Sequence, residues 1–190
     1  MAKKSVCVFC GSKEGADNRF VQLARELGKA LALENAQLVY GGAQIGIMGA
    51  VADAVLEEGG EVIGVIPEAL SDREVAHPGL TELIVTSDMH ERKRRMYALA
   101  DVFVALPGGM GTLEEVFEAA TWTKLRIHEP DIYKPVVLLD DGQFWEPLSD
   151  FLNSLVGYGF VSQKNRGIVI SASSVSETVS VIREILEGTD

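Results

Sequence analysis

The sequence predicts an α/β fold: a Rossmann-like, doubly wound parallel sheet with helices on both faces, in a single domain over residues 1–190. Three observations lead there. Short β-branched or apolar runs alternate with longer helical patterns, the order that a parallel sheet covered by helices requires. The runs are apolar along their length, as strands buried on both faces must be. Two of them end in glycine-dense turns, at the strand ends where open α/β sheets bind ligands.

Taken in order, the first strand is SVCVFC (5–10), closed by the turn CGS (10–12). FVQLARELGKALAL (20–33) then sets Phe20, Leu23, Ala24, Leu27 and Leu31 at the period of an amphipathic helix. QLVYG (37–41) is the second strand, and GGAQIGIMG (41–49) turns from it into a helix. EVIGVIP (61–67) and ELIVT (82–86) come next as the third and fourth strands. The helix that carries DMHERKRRM (88–96) precedes the fifth strand, DVFVALP (101–107), which opens through PGGMGTLEE (107–115) into a further helix. KPVVLLD (134–140) is the sixth strand, and the small-residue stretch SASSVSET (171–178) is read as the cap of the last helix. No domain boundary, repeat or low-complexity linker interrupts the pattern.

A chain of 190 residues can bury a core without a disulfide or metal staple. Its 47% apolar and 24% charged residues are the balance of a soluble globular protein. No apolar run reaches the roughly 18 residues of a membrane span. The opening MAKKSVCVFCGS has no apolar leader segment, so a cytoplasmic location and no membrane partner are expected. The formal net charge of −11 speaks against a nucleic-acid partner, which needs a basic face. Cys7 and Cys10 have C-x-x-C spacing, but an offset of three along a strand sends side chains to opposite faces, and no second pair exists. His77, His90 and His128 are scattered, and His90-Glu91 lacks the second histidine of a zinc-protease motif, whose place Arg94 takes. No metal is expected.

Against this acidic background, Arg92, Lys93, Arg94 and Arg95 place four of the 17 basic residues together. The run is either a solvated helix face or a seat for a local anion. Both glycine turns open helices, whose first N–H groups lack backbone partners and carry partial positive charge, and glycine lets an anion approach them. For GGAQIGIMG close packing explains the glycines equally well. A nicotinamide fingerprint is not met: the turn after the first strand is CGSKEG, GGAQIGIMG has the wrong spacing, and Glu61 is an isolated acid. G-x-x-x-x-G-K-[ST] is absent, so a triphosphate-hydrolysing loop is not expected either.

The residues after the glycines of PGGMGTLEE are more informative. Thr112 can cap the helix or donate its hydroxyl to a phosphate, but Glu114 and Glu115 set acids within a turn of the same anion site. An acid early in a helix is ordinarily favourable dipole chemistry. Beside a bound phosphate it would repel the ligand unless it faced another part of it, such as a carbon that becomes positive during reaction. Cleavage of an N-glycosidic bond creates such a carbon at the ribose anomeric centre, and a carboxylate there stabilises it and orients a water. Glu115 is the candidate for that role. Arg92, planar, always charged and able to fork two hydrogen bonds, is the candidate to hold the carboxylate or substrate in register.

PGGMGTLEE fits PGGxGTxxE, and with the GG…GxMG turn and the upstream DMHERK the chain resembles the LONELY GUY (LOG) family of cytokinin riboside 5′-monophosphate phosphoribohydrolases, often labelled lysine-decarboxylase-like. The resemblance runs from VCVFCGS through GVIP and TWTKLRIH to KPVVLLD and GFVS (159–162). It implies a Rossmann-like homodimer, without metal or organic cofactor, that hydrolyses a nucleoside 5′-monophosphate to free base and ribose 5-phosphate. Catalytic roles fall on Arg92 and Glu115. Substrate contacts carry over to Lys93, to Gly109, Met110, Gly111, Thr112, Leu113 and Glu114, to Thr121 and, on a weaker alignment, to Glu74. For Thr121 a hydroxyl bonded to its own helix is the competing reading.

The chain departs from the family pattern at Ala43 and Gln44, where many members have glycine and serine. It departs again at Arg94 and Arg95, where plant enzymes usually show alanine and glutamate, and in EPDIY (129–133), which resembles an insertion. Base preference therefore stays open. Two other functions compete with hydrolysis: a nucleotide- or molybdenum-cofactor-binding carrier on the same fold, and an amino-acid decarboxylase. The carrier has no need of both Arg92 and Glu115, and the decarboxylase needs a lysine beside a cofactor phosphate loop.

Overall fold

The computed structural model describes residues 3–71, 76–128, 132–140 and 143–188. The chain runs β1 (Ser5–Phe9), α1 (Arg19–Leu33), β2 (Gln37–Tyr40), α2 (Gly46–Glu57), β3 (Val62–Pro67), α3 (Glu68–Ser71), β4 (Glu82–Thr86) and α4 (Met89–Leu99). It continues β5 (Val102–Ala105), α5 (Met110–Leu125), β6 (Val136–Leu139), α6 (Glu146–Gly157), α7 (Gln163–Arg166), β7 (Val169–Ala172) and α8 (Val175–Glu187). All strands pair in parallel, in the order β4-β3-β2-β1-β5-β6-β7. The α/β sheet expected from the alternation is therefore present.

Two details differ from the sequence reading. A seventh strand, β7, ends on the first two residues of SASSVSET, and the cap follows within the same stretch, where the Ser174 hydroxyl accepts from the Glu177 N–H. Small polar residues hid this strand because it is an edge strand, with Ile170 and Ser171 partly solvated. The other edge, β4, is largely exposed, with Val85 at 55% exposure, so its apolar run is not buried on both faces.

Alternation along each inner strand divides the core in two. Val6, Val8, Val102, Val104 and Leu38 pack beneath α1, α2 and α8, whereas Phe9, Phe103, Val39, Ile63 and Leu138 pack beneath α4, α5 and α6. Cys7 and Cys10 fall into opposite halves, as the strand geometry predicts, and both are free thiols. Helix α1 buries Leu23, Ala24, Leu27 and Leu31. It also presents Gly28, where a Cβ would stand 2.6 Å from the Val51 carbonyl of α2, so the two helices touch backbone to backbone.

Strand order reverses between β1 and β5, because the chain winds outward from β1 to β4 and then returns to the other side of β1. In an open α/β sheet the crevice at such a switch point is the ligand site. The two strands are held together up to that crevice, with Phe9 opposite Ala105, the Leu106 N–H on the Phe9 carbonyl (2.9 Å) and the Gly11 N–H on the Pro107 carbonyl (3.2 Å).

A polar knot sits in the lower part of the α4–α5 half. The Thr123 hydroxyl lies 2.6 Å from the Lys134 carbonyl and 3.0 Å from His128 Nε2, while the buried Lys134 ammonium donates to the Tyr97 carbonyl (2.9 Å). Burial, aided by the nearby Lys134 charge, lowers the His128 pKa to about 4. The imidazole is therefore neutral in the fold yet takes up a proton in the unfolded chain at its ordinary value near 6.5. Below that value the unfolded state binds more protons, so stability falls as pH drops from about 6.5 to about 4. His128→Gln, which keeps a donor toward Thr123, is expected to flatten this part of a melting-temperature profile against pH.

Candidate active site

A cavity of about 510 Å³ opens at the β1/β5 switch point. One wall is the β1 turn, Cys10–Lys13; another is the loop and first turn from Pro107 to Thr112; Arg92 and Glu115 lie within it. The other side is apolar and includes Met48, Leu70, Met89, Phe20 and Phe144.

Four devices bring the parts of this site together. Helix α4 starts where the Asp88 carboxylate accepts from the His90 and Glu91 N–H groups (both 2.8 Å), while Glu91 reaches back to the Ser87 N–H (2.9 Å). Arg92 therefore falls one turn in, pointing under the sheet ends, where its Nε donates to the Val65 carbonyl at 3.0 Å. Gly41 makes room for it, since a Cβ there would stand 2.3 Å from the guanidinium Nη2. Arg92 Nη1 ends 3.4 Å from Glu115 Oε1, with side-chain exposures of 7% and 9%.

The two glycine turns have different uses, which sequence alone left open. At the start of α2 the space is filled: the Met48 N–H points to the Gly11 carbonyl (3.3 Å), and a Cβ on Gly46 would stand 2.4 Å from the Ser12 backbone. Those glycines serve packing. At α5 the N-cap is Gly109, with no side chain capping the first turn, and a Cβ on Gly109 or Gly111 would meet nothing within 4 Å. Packing does not explain these two glycines. They leave uncovered N–H groups at the positive end of α5 facing the cavity, a seat for an anion. Gly108 differs again: a Cβ there would be 2.1 Å from the Thr112 hydroxyl, so it is needed to fold the loop over that side chain.

This contrast gives a prediction with opposite signs in two assays. Gly111→Ala places a better helix former in the first turn of α5, so stability should hold or rise by up to about 1 kcal/mol. The methyl group obstructs the amide seat, so KM should rise about tenfold or more with kcat less affected. Thermal melting and steady-state kinetics on one preparation check both.

The residues singled out by sequence separate into three groups. Arg92, Gly109, Met110, Gly111, Thr112 and Glu115 line the cavity together. Lys93, Leu113, Glu114 and Thr121 do not. Lys93 is buried and binds Glu114 and Glu118, the latter at 2.9 Å; burial works against its charge, but these two carboxylates outweigh it and hold its pKa above the ordinary lysine value. Leu113 packs on the core, and Thr121 is exposed on α5 without a hydroxyl bond to its own helix among the described residues. Glu74 lies outside the described residues, as do residues 129–131 of EPDIY.

Sequence reasoning missed most of the apolar wall. Phe20 and Phe144 meet edge to face, 5.8 Å between centroids, and Gly15 (φ +82°) lets the Phe20 ring come within 2.6 Å of where a Cβ would stand. Phe20 reads in sequence as the first apolar residue of a helix, and Phe144 falls in no motif. Lys13 was missed too, although CGS had marked that turn.

The match to a family model described as "possible lysine decarboxylase" spans residues 48–182. A cytokinin riboside 5′-monophosphate phosphoribohydrolase of Rhodococcoides fascians is 45% identical over 95% of this chain and 89% of its own length. Its counterpart from Oryza sativa subsp. japonica is also 45% identical, over 95% of this chain and 73% of its own. The chain belongs to the LONELY GUY (LOG) family. Among solved structures, a molybdenum cofactor carrier protein from Chlamydomonas reinhardtii superposes with a TM-score of 0.75 at 26% identity, over 98% of this chain and 99% of its own. A molybdenum cofactor binding protein from Rippkaea orientalis gives 0.75 at 27%, with the same coverage. LOG membership thus places the chain nearer in sequence to hydrolases than to the carriers that share its fold.

Proposed function

We propose that this LOG-family chain hydrolyses the N-glycosidic bond of a nucleoside 5′-monophosphate, adenosine monophosphate or an N6-modified relative, to free base and ribose 5-phosphate. The observation that carries the reading is the buried Arg92–Glu115 pair one helical turn from an uncapped helix start. Thr112 and Glu115, three residues apart, share the inward face of α5. A 5′-phosphate at the first turn, held by the Gly109–Thr112 amides and the Thr112 hydroxyl, puts the ribose over Glu115.

The C1′–N bond breaks with its electron pair leaving on the base, and positive charge builds on C1′ and the ring oxygen. Glu115 stabilises that charge and orients a water, whose oxygen bonds to C1′ as its proton passes to the carboxylate; a proton then goes to the departed base, which leaves neutral, and Glu115 returns to its charged form. Arg92 pairs with Glu115 at 3.4 Å and fixes its orientation. No organic cofactor or metal enters this scheme. Lys93, with Glu114 and Glu118, fastens α4 to α5 and so maintains the spacing of the pair.

The outward face of α5 is apolar at Met110, Phe117 and Leu125, with 82%, 40% and 57% exposure, and we read it as the seam of a homodimer. An antiparallel crossing near Phe117 brings Thr121 of one copy toward Met110 of the other. That places Thr121 near substrate although it faces away from its own cavity. Two free, buried thiols fit a reducing cytoplasm, and no helix among the described residues is long and apolar enough to cross a membrane.

Incubation with adenosine monophosphate and with isopentenyladenosine monophosphate, followed by chromatography, tests the reading: free base is expected from at least one. Tight binding without base release would favour the carrier seen among the structural neighbours. Decarboxylation finds little support: Lys93 is held by two carboxylates, Lys134 is buried outside the cavity, and Lys13, the one lysine lining the cavity among the described residues, is solvent-exposed rather than buried beside the loop.

A further inference from the structure

We propose that the cleft between α4 and the C-terminal end of α5 is a second ligand site, for an aromatic anion carrying an N–H donor, with an adenine nucleotide as the fitting class. The cleft has a volume of about 460 Å³, within the range of roughly 300–1,000 Å³ usual for small-molecule sites. It shares no lining residue with the cavity at the switch point.

Three features of the cleft lack a use within the chain. Arg94 and Arg95 line it, and neither forms an ion pair within 4.0 Å among the described residues, although the protein carries a net charge of −11. The acid that lines the cleft beside them, Glu91, accepts from the Ser87 N–H (2.9 Å) and hydroxyl (2.8 Å) on one oxygen; these bonds, and to a lesser degree the Arg95 charge, hold its pKa below the ordinary carboxylate value. Arg94 and Arg95 thus feel Asp88 and Glu91 only at longer range, and with no direct ion pair their planar forks keep donors that match an outside phosphate.

The second feature is an aromatic wall: Trp122 packs edge to face on Tyr97 at 5.2 Å and lies 5.8 Å from His128. Trp122 is only half-buried, so ring surface remains for a base to stack on. Tyr97 itself has no free hydroxyl, because it donates to Glu118 at 2.8 Å.

The third is His128, 3% exposed and lining the cleft. The single Thr123 hydroxyl hydrogen goes to the Lys134 carbonyl (2.6 Å) or the Ala119 carbonyl (3.0 Å). With that hydrogen on a carbonyl, His128 Nε2 donates to the Thr123 oxygen, and in this tautomer Nδ1 is an acceptor. Nδ1 is buried without a hydrogen-bond partner among the described residues. A buried acceptor left open is destabilising, and a ligand amine bonded to it relieves that cost. Phosphate on the arginines, base on Trp122 and exocyclic amine on Nδ1 use all three.

The site stands apart from the hydrolysis reading, and titration of the Glu115→Gln chain with adenosine monophosphate, by calorimetry and tryptophan fluorescence, separates the two. Two sites per chain are expected. Arg94→Ala/Arg95→Ala on the same background should weaken one of them at least tenfold and abolish the Trp122 response, leaving the other site and the melting temperature unchanged. A single site per chain, or two that the arginine variant leaves intact, overturns the proposal. So does an equal Trp122 response to inorganic phosphate, which would reveal a bare anion site. Loss of the site at the switch point with the arginine-dependent one retained would count against hydrolysis instead.

Discussion

Glu115→Gln is expected to lower kcat for base release by about 10³-fold while nucleotide binding persists. The amide keeps the shape of the carboxylate and its place beside Arg92, so the cavity and the amide seat of α5 are retained. What it removes is the negative charge beneath the carbon that becomes positive, an interaction stronger in the transition state than in the ground state. Such a loss appears in kcat and equally in kcat/KM, with KM little changed. Single-turnover kinetics with chromatography of the base, beside calorimetric binding of the same nucleotide, measure both quantities. Residual activity within tenfold of the parent chain would remove Glu115 from the reaction.

Arg92→Ala carries the second large effect, and it combines stability with activity. Arg92 and Glu115 are both buried, 3.4 Å apart. Removing the guanidinium leaves a carboxylate in the interior without its cation, a defect that costs about 3–5 kcal/mol in comparable pairs. Adding Glu115→Gln removes the charge that caused the defect, so the double variant should recover much of the lost stability while remaining inactive. Denaturant unfolding of the parent, both single variants and the double variant closes the cycle. If the two losses simply add, the pair is not coupled and Arg92 acts elsewhere. Arg92→Lys should also lose activity, because an ammonium cannot satisfy the Val65 carbonyl and Glu115 with the same fork.

Much of this was legible along the chain because strand and helix periods are local. The runs at 5–10, 37–41, 61–67, 101–107 and 134–140 all contain inner strands, since central parallel strands must be apolar on both faces. β7 was missed for the complementary reason: an edge strand tolerates serine, and its alternation is too short to stand out from a helix cap. Within the site, PGGMGTLEE and the basic cluster were visible as residue types at fixed spacing. That GGAQIGIMG is filled by the CGS turn while PGGMG is open was not visible, because contacts between residues far apart in sequence, Ser12 with Gly46 and Gly11 with Met48, decide it.

The sequence by itself determined the layered α/β class, the two opposed core halves and the residues available for chemistry, because these come from side-chain period and from the short-range preferences of glycine, threonine and acids at helix starts. The tertiary structure alone decided strand order, and with it the switch point between β1 and β5 that sets a basic residue of α4 against an acid of α5. It also decided that Lys93, the neighbour of Arg92, turns to Glu114 and Glu118 while Arg94 and Arg95 face a separate cleft. Successive residues on a helix point about 100° apart, so four adjacent cations cannot serve one site, and only the packing around α4 says which environment each one meets.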